Sequence, residues 1–314
     1  GAARELALLP ATQANALYLR TLDDALRLQA RLHPGVRVLV IGGGFMGLEL
    51  ASTAHETGAQ GTVVEANERL LARNAPALLS HWLLERFESQ GITVCLGQGV
   101  SQAHFATDKE HPVELELKDG QRLQGDVALI AAGLTANSAL ARASGIAVDE
   151  MTAGIIVDRQ GRTSVAGIYA AGDCTTQICP ETAVRTRTES WQNANEQARQ
   201  VAHVIAAQPA PAAPVSWFWT DVLGCNIQML GQGSPDLDYQ VRGVMDSQAD
   251  AISFMLLAFE GPYLRHAIAV NAGADLRALR SIMEQNVPVD PAIVLDPSTK
   301  LRQYVKEALR IAHV

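Results

Sequence analysis

The sequence predicts an α/β fold: a central parallel sheet with a β-hairpin layer, followed by a C-terminal α+β module. Three observations carry that prediction. Short, nearly all-apolar runs alternate with helix-patterned stretches through residues 22–133, as expected for strands buried on both faces and their crossover helices. A strictly alternating run, Val113-Glu114-Leu115-Glu116-Leu117, leads into Asp119-Gly120, a strong short-range hairpin signal. After Pro209, Pro211 and Pro214, set among alanines in a linker composition, short strands dominate and two helical stretches follow.

The elements follow in chain order. Leu22–Leu32 has apolar residues at helical spacing and is broken by His33-Pro34-Gly35. Arg37–Ile41 reads as a buried strand, Gly42 opens a turn, Phe45–Thr57 is helical and Thr62–Glu65 is the next strand. Together these make one strand–turn–helix–strand unit. Pro76–Ser89 reads as a helix, since proline is tolerated in a first helical turn. Ile92–Leu96 and Val127–Gly133 read as further strands. Beyond them, Gly154–Asp158 and Gly167–Asp173 look like strands, Glu189–Ala207 like a long helix, and the stretch with Pro180 like a loop. The C-terminal module offers strands at Ile227–Leu230, Ile252–Phe259 and His266–Val270, the turn Glu260-Gly261-Pro262, and helices at Leu276–Gln285 and Leu301–Ala312. Trp217-Phe218-Trp219 reads as core or interface packing.

Composition narrows the function. The 314 residues are 48% hydrophobic, enough for about two domains and incompatible with a wholly disordered chain. The net charge of −8 (25 basic, 33 acidic residues) lacks the basic excess of a nucleic-acid binder. Four cysteines are too few for a disulfide scaffold and point to a reducing, cytoplasmic setting. No apolar run reaches the ~18 residues of a membrane span. No H-E-x-x-H, G-x-S-x-G or C-x2-C spacing occurs, so zinc, nucleophilic-serine and iron–sulfur chemistry have no motif here.

The sharpest motif is Gly42-Gly43-Gly44-Phe45-Met46-Gly47, a G-x-G-x-x-G between a buried strand and a helix, with Glu65 ending the next strand. Each part has a physical task. Gly42 makes the tight turn, Gly44 admits a pyrophosphate to the backbone, and Gly47 lets helix and strand pack closely. The helix start offers N–H groups and a positive dipole end. Glu65 can accept from a ribose diol and would repel a 2′-phosphate, favouring NAD over NADP, with Arg69 near enough in sequence to soften that preference. The fold expectation is thus a Rossmann-like NAD domain. The second signal, Gly172-Asp173, is on spacing alone a turn or a helix cap. Cys174 and Cys179 have C-x4-C spacing, which by itself reads as two incidental thiols.

Several segments together resemble the FAD-dependent NADH:ferredoxin reductases of the pyridine nucleotide-disulfide oxidoreductase fold, leaning toward the reductase component of bacterial aromatic-ring dioxygenases. These are Tyr18–Ala25, Val40–Leu50, Leu134–Ile146, Ile168–Asp173, Glu189–Ala194 and Trp217–Asp221. They cover essentially the whole chain in order. The resemblance implies two cofactors, FAD and NAD(H), and a small 2Fe-2S ferredoxin as electron acceptor, with neither nucleic acid nor membrane as partner. It implies that Arg20 contacts the FAD phosphates and Asp173 the FAD ribityl or pyrophosphate region. Ser190 and Trp191 would lie at the flavin, Glu49 near the nicotinamide and Gly133 on the nicotinamide side of the NAD site. No side chain is expected to act as a catalytic acid or base, because the cofactors carry the hydride chemistry.

The organisation expected from the resemblance is a remnant of an FAD-domain segment at residues 1–17, an NAD(H)-binding domain at 18–137, a second FAD segment at 138–208 and a C-terminal α+β domain at 213–314. The family's first FAD-binding segment, with its own G-x-G-x-x-G, is expected ahead of Gly1-Ala2 and is not in this sequence. Leu134-Thr135-Ala136-Asn137 also lacks the proline that many relatives carry before the Asn. The rival readings are a disulfide reductase using Cys174 and Cys179, a rubredoxin or nitrite-type reductase of the same fold, and a non-catalytic NAD(H)-binding module.

Overall fold

The computed structural model of the chain describes residues 1–106, 112–178, 185–209, 212, 214–234 and 237–312. It separates into two compact units, one of residues 3–133 and 219–314, the other of residues 1–2 and 134–218. No helix among the described residues is long and apolar enough to cross a membrane.

The larger unit is built on a five-stranded, all-parallel sheet in the order Ala16–Tyr18, Val127–Ile130, Arg37–Ile41, Gln60–Val64, Thr93–Cys95. The strand Arg37–Ile41 shows why its run is apolar throughout. Val38 and Val40 enter one core with the helices Phe45–Glu56 and Ala77–Ser89, while Leu39 and Ile41 enter a second core on the opposite face. That second core is closed by a three-stranded antiparallel layer, Val100–Phe105, Val113–Leu117 and Arg122–Gly125. Val113, Leu115 and Leu117 point inward from it, as the alternation required. Pro76, read as the first residue of this helix, is its N-cap, and the helix Ala77–Ser89 starts one position later. Residues 3–17, expected to end an FAD-domain segment, lie in this unit, and the edge strand beginning at Ala16 crosses the expected boundary at residue 17.

The same unit holds, from Trp219 onward, a five-stranded antiparallel sheet, in the order Trp217–Val222, Cys225–Gly231, Tyr263–Val270, Ser253–Glu260, Tyr239–Val244. The helices Gly273–Glu284 and Leu301–Ala312 follow it. Its Ile227, Met229, Phe254, Leu256, Ile268 and Val270 share one continuous core with the helical side of the parallel sheet. Trp82 meets Phe254 edge-on there, with ring centroids 5.1 Å apart.

The smaller unit pairs Ile155–Val157 with Thr175–Ile178 in parallel and adds Arg185–Thr186 antiparallel. Buried Asp149 accepts from the Thr152 amide (2.8 Å) and hydroxyl (2.9 Å) and pairs with Arg185. The Thr152 amide is the main cause holding the Asp149 carboxyl below its usual range. One expectation is corrected here: Gly167–Asp173 is not a strand. Gly167 and Gly172 sit at φ +79° and +86° and turn the chain at both ends, leaving a single bridge between Arg162 and Tyr169. The strand begins at Thr175, inside the stretch read as loop. The expected Glu189–Ala207 helix is shorter, Trp191–Ile205, with Ser190 as its N-cap accepting from Asn193 N at 3.1 Å.

Candidate functional site

The glycine turn lies at the carboxyl end of the Arg37–Ile41 strand, where open α/β sheets place their ligands. Gly42 has φ +116°, and a Cβ there would stand 2.5 Å from the Ala131 carbonyl oxygen. A Cβ at Gly47 would stand 1.9 Å from the Gly42 oxygen, so only glycine lets the helix return this close to the strand. Gly43 is enclosed by Leu70 and Glu65. At Gly44 an added Cβ meets nothing within 4 Å, which makes it the open side of the turn. Phe45 and Met46 pack against the core behind the turn.

The helix Phe45–Glu56 is ready for an anion. Its N-cap is Gly44, no side chain caps it, and its first turn carries no acidic residue. The first intrahelical bond runs from Leu48 N to Gly44 O at 3.0 Å, so the N–H groups before it project from the positive end of the dipole. These features fit a dinucleotide diphosphate.

Glu65 sits directly against this turn and is 8% exposed. One carboxylate oxygen accepts from Gly43 N at 2.6 Å, and the other from Asn67 N at 2.7 Å. The residue read as a ribose ligand is therefore also a brace for the phosphate loop, a role its position in the sequence does not disclose. Arg69 does something other than expected. Its guanidinium donates to the carbonyls of Ala72 and Ala75 (2.7 Å each) and to Ser80 Oγ (2.8 Å). It braces residues 70–80.

Glu49 lies on the same helix, half-buried, and accepts from Thr220 Oγ1 at 2.5 Å. Gly133 has φ +99°, open space where a Cβ would be, and a carbonyl accepting from Arg4 N at 2.9 Å. Arg20 is exposed, and its amide donates to Asp24 Oδ2 of the capping box that starts the helix Leu22–Gln29.

In the smaller unit, Gly172 N donates to Gln197 Oε1 at 2.6 Å, and Thr175 Oγ1 donates to the same oxygen at 2.9 Å. Gln197 thus holds this turn from the Trp191–Ile205 helix. Asp173 is half-buried, with no hydrogen bond or ion pair among the described residues. Trp191 is 69% exposed at the helix start, an unusual setting for an indole in a folded unit. Arg187, which sequence reasoning missed, lies four positions before it in the chain and is mostly buried. Its Nη2 donates to Leu134 O at 3.0 Å and pairs with Glu189, while its Nη1 is buried with no partner among the described residues. An open carboxylate, an exposed indole and an orphaned donor fit a large aromatic cofactor with polar edges, as FAD has.

The thiols are placed differently. Cys174 is a free thiol whose Sγ donates to Ala171 O at 3.5 Å, and Cys179 lies outside the described residues. Burial pushes the Cys95 and Cys225 thiols up, away from thiolate chemistry.

A parallel sheet carrying a bare, anion-ready glycine turn defines a dinucleotide-dependent class of protein, and comparison with known proteins specifies which. Residues 1–198 match the pyridine nucleotide-disulphide oxidoreductase family, and residues 217–305 match the reductase C-terminal family. The chain belongs to the pyridine nucleotide-disulphide oxidoreductases. It is 37% identical over 283 residues to the 3-phenylpropionate/cinnamic acid dioxygenase ferredoxin–NAD(+) reductase component of Photorhabdus laumondii, covering 90% of this chain and 68% of that protein. Among solved structures, it is similar to putidaredoxin reductase in its covalent complex with putidaredoxin (TM-score 0.86, 30% identity, 98% of this chain and 73% of that one). It is also similar to the ferredoxin reductase of the CYP199A2 system from Rhodopseudomonas palustris (TM-score 0.85, 31% identity, 96% and 72%).

Proposed function

We propose that the protein is an NADH-dependent flavoprotein reductase that passes electrons from NADH through FAD to a small ferredoxin of the 2Fe-2S type, serving a dioxygenase or cytochrome system in the cytoplasm. The observation that carries this is the glycine turn: an uncapped helix start and an open Gly44 beside the Glu65 carboxylate, whose charge would repel a 2′-phosphate. Family membership supplies the flavin. When bound, FAD would supply the hydride-accepting and one-electron-donating chemistry, so no protein acid or base is required.

The chain's own residues bind and orient. The backbone of residues 42–47 receives the diphosphate, Glu65 selects the ribose, and Glu49 and Gly133 face the nicotinamide side. Asp173, Ser190, Trp191 and Arg20 serve FAD, and Arg187 Nη1 offers a buried donor to its polar edge. Residues 18–137 are the NAD(H)-binding domain, residues 138–208 a segment of the FAD domain and residues 213–314 the C-terminal domain.

The test is to load the chain with FAD without oxygen, add NADH and follow the flavin absorbance, then add a 2Fe-2S ferredoxin and follow its reduction. Bleaching of the flavin band by NADH followed by ferredoxin reduction is expected. FAD that binds and is not bleached by NADH contradicts the proposal. Cys174→Ser should leave the rate within about two-fold, because the thiol only donates to a carbonyl. A lost rate would favour a disulfide-reductase reading.

A further inference from the structure

We propose that Thr220 is a positioning residue for the nicotinamide side of the NADH site: its hydroxyl fixes Glu49 so that one carboxylate oxygen is left to accept from the cofactor's carboxamide. The inference rests on the reading of Glu49 given above, and it adds a residue from the C-terminal part of the chain.

Glu49 is the fifth residue of the Phe45–Glu56 helix, one turn past the phosphate-binding start. A free glutamate there would sample many rotamers, and ordering it on binding would cost conformational entropy. Thr220 removes that freedom in advance. It belongs to the strand Trp217–Val222, is 2% exposed, and donates from Oγ1 to Glu49 Oε1 at 2.5 Å. A β-branched side chain in a strand has restricted χ1, so the donor keeps one direction. Donation by a hydroxyl also suits an ionised carboxylate, which can only accept. With Oε1 engaged, Oε2 is the acceptor left for an amide N–H donor, which the nicotinamide carboxamide supplies and an adenosine diphosphoribose lacks.

A second bond at the same junction separates positioning from mere stapling. Ser52, on the same helix and 3% exposed, accepts from Leu223 N at 2.8 Å. That bond joins the same helix to the same strand end without touching Glu49. Loss of either bond loosens the junction, whereas only loss of the Thr220 bond releases the carboxylate.

The experiment measures dissociation constants of NADH and of ADP-ribose for the full chain and for Glu49→Ala, Thr220→Val, Thr220→Ser and Ser52→Ala, with melting temperatures alongside. Thr220→Val should weaken NADH about five-fold and ADP-ribose less than about two-fold. Thr220→Ser should restore NADH, and Ser52→Ala should lower the melting temperature without changing the NADH to ADP-ribose ratio. If the valine variant does not fold, Thr220→Ala takes its place. Equal weakening of both ligands by the Thr220 variant, or no rescue by serine, overturns the inference. If Glu49→Ala leaves the ratio unchanged, the placement of Glu49 itself fails and the inference falls with it. If Glu49→Ala changes the ratio and the Thr220 variant does not, Thr220 alone is wrong and the Glu49 reading stands.

Discussion

Two glycine turns in this protein each carry an acidic residue, and the two acids do opposite jobs. At Gly42–Gly47 the carboxylate of Glu65 is buried and tied to the loop through Gly43 N and Asn67 N. At Gly172 the loop is held by a neutral side chain, Gln197, and Asp173 is left half-buried without a described partner. A carboxylate beside a turn is therefore a ligand group, a structural brace or both, according to what else holds the backbone. On the proposed reading, selectivity and loop geometry share one residue in the first turn, and in the second they are divided between Gln197 and Asp173.

Substitutions can break or sharpen this contrast. The largest effect is expected from Gly47→Ala, because its Cβ would lie 1.9 Å from a backbone oxygen. Overpacking of about 3 kcal/mol, expressed at the loop, would weaken NADH about a hundred-fold by calorimetry. Unchanged affinity would mean that the strand and helix need not approach so closely. Next comes Glu65→Ala, which strands the buried Gly43 N–H. It should cost about 1–3 kcal/mol of unfolding free energy in urea and weaken NADH as well. For the same reason Glu65→Arg cannot simply exchange NADH for NADPH, since a guanidinium has no acceptor for Gly43 N. The smallest effects are a pair. Gln197→Leu should destabilise by about 1 kcal/mol, leaving Gly172 N without its acceptor while Thr175 Oγ1 keeps Gly172 O at 2.8 Å. Asp173→Ala should change stability by less than about 0.5 kcal/mol while lowering FAD retention. An Asp173→Ala loss equal to that of Glu65→Ala would erase the distinction between the turns.

The sequence made parts of this legible. The strand Arg37–Ile41 and its glycine turn could be read because burial on both faces and the loss of Cβ leave marks in composition. The layer strand Val113–Leu117 could be read from its alternation. By contrast, Val100–Phe105 and Tyr239–Val244 were hidden. The first is largely polar, and the second carries Gln240, Gly243 and the buried Arg242, which donates to the carbonyls of Val294 and Thr299 (3.0 and 2.8 Å). Gly167–Asp173 looked like a strand because apolar residues fill it, yet its glycines sit at positive φ. The site was legible where one local segment builds it. It was not legible where distant residues meet: Glu65 with Gly43 across 22 positions, Glu49 with Thr220 across 171.

The central claim is that the bare turn at residues 42–47 receives the diphosphate of NADH. Backbone amide resonances measured on the full chain during a titration with NADH test it most directly. The account expects the largest saturable shifts at Gly44, Met46 and Gly47, with Gly172 and its neighbours unmoved. NADH that binds while those three amides stay in place would contradict it.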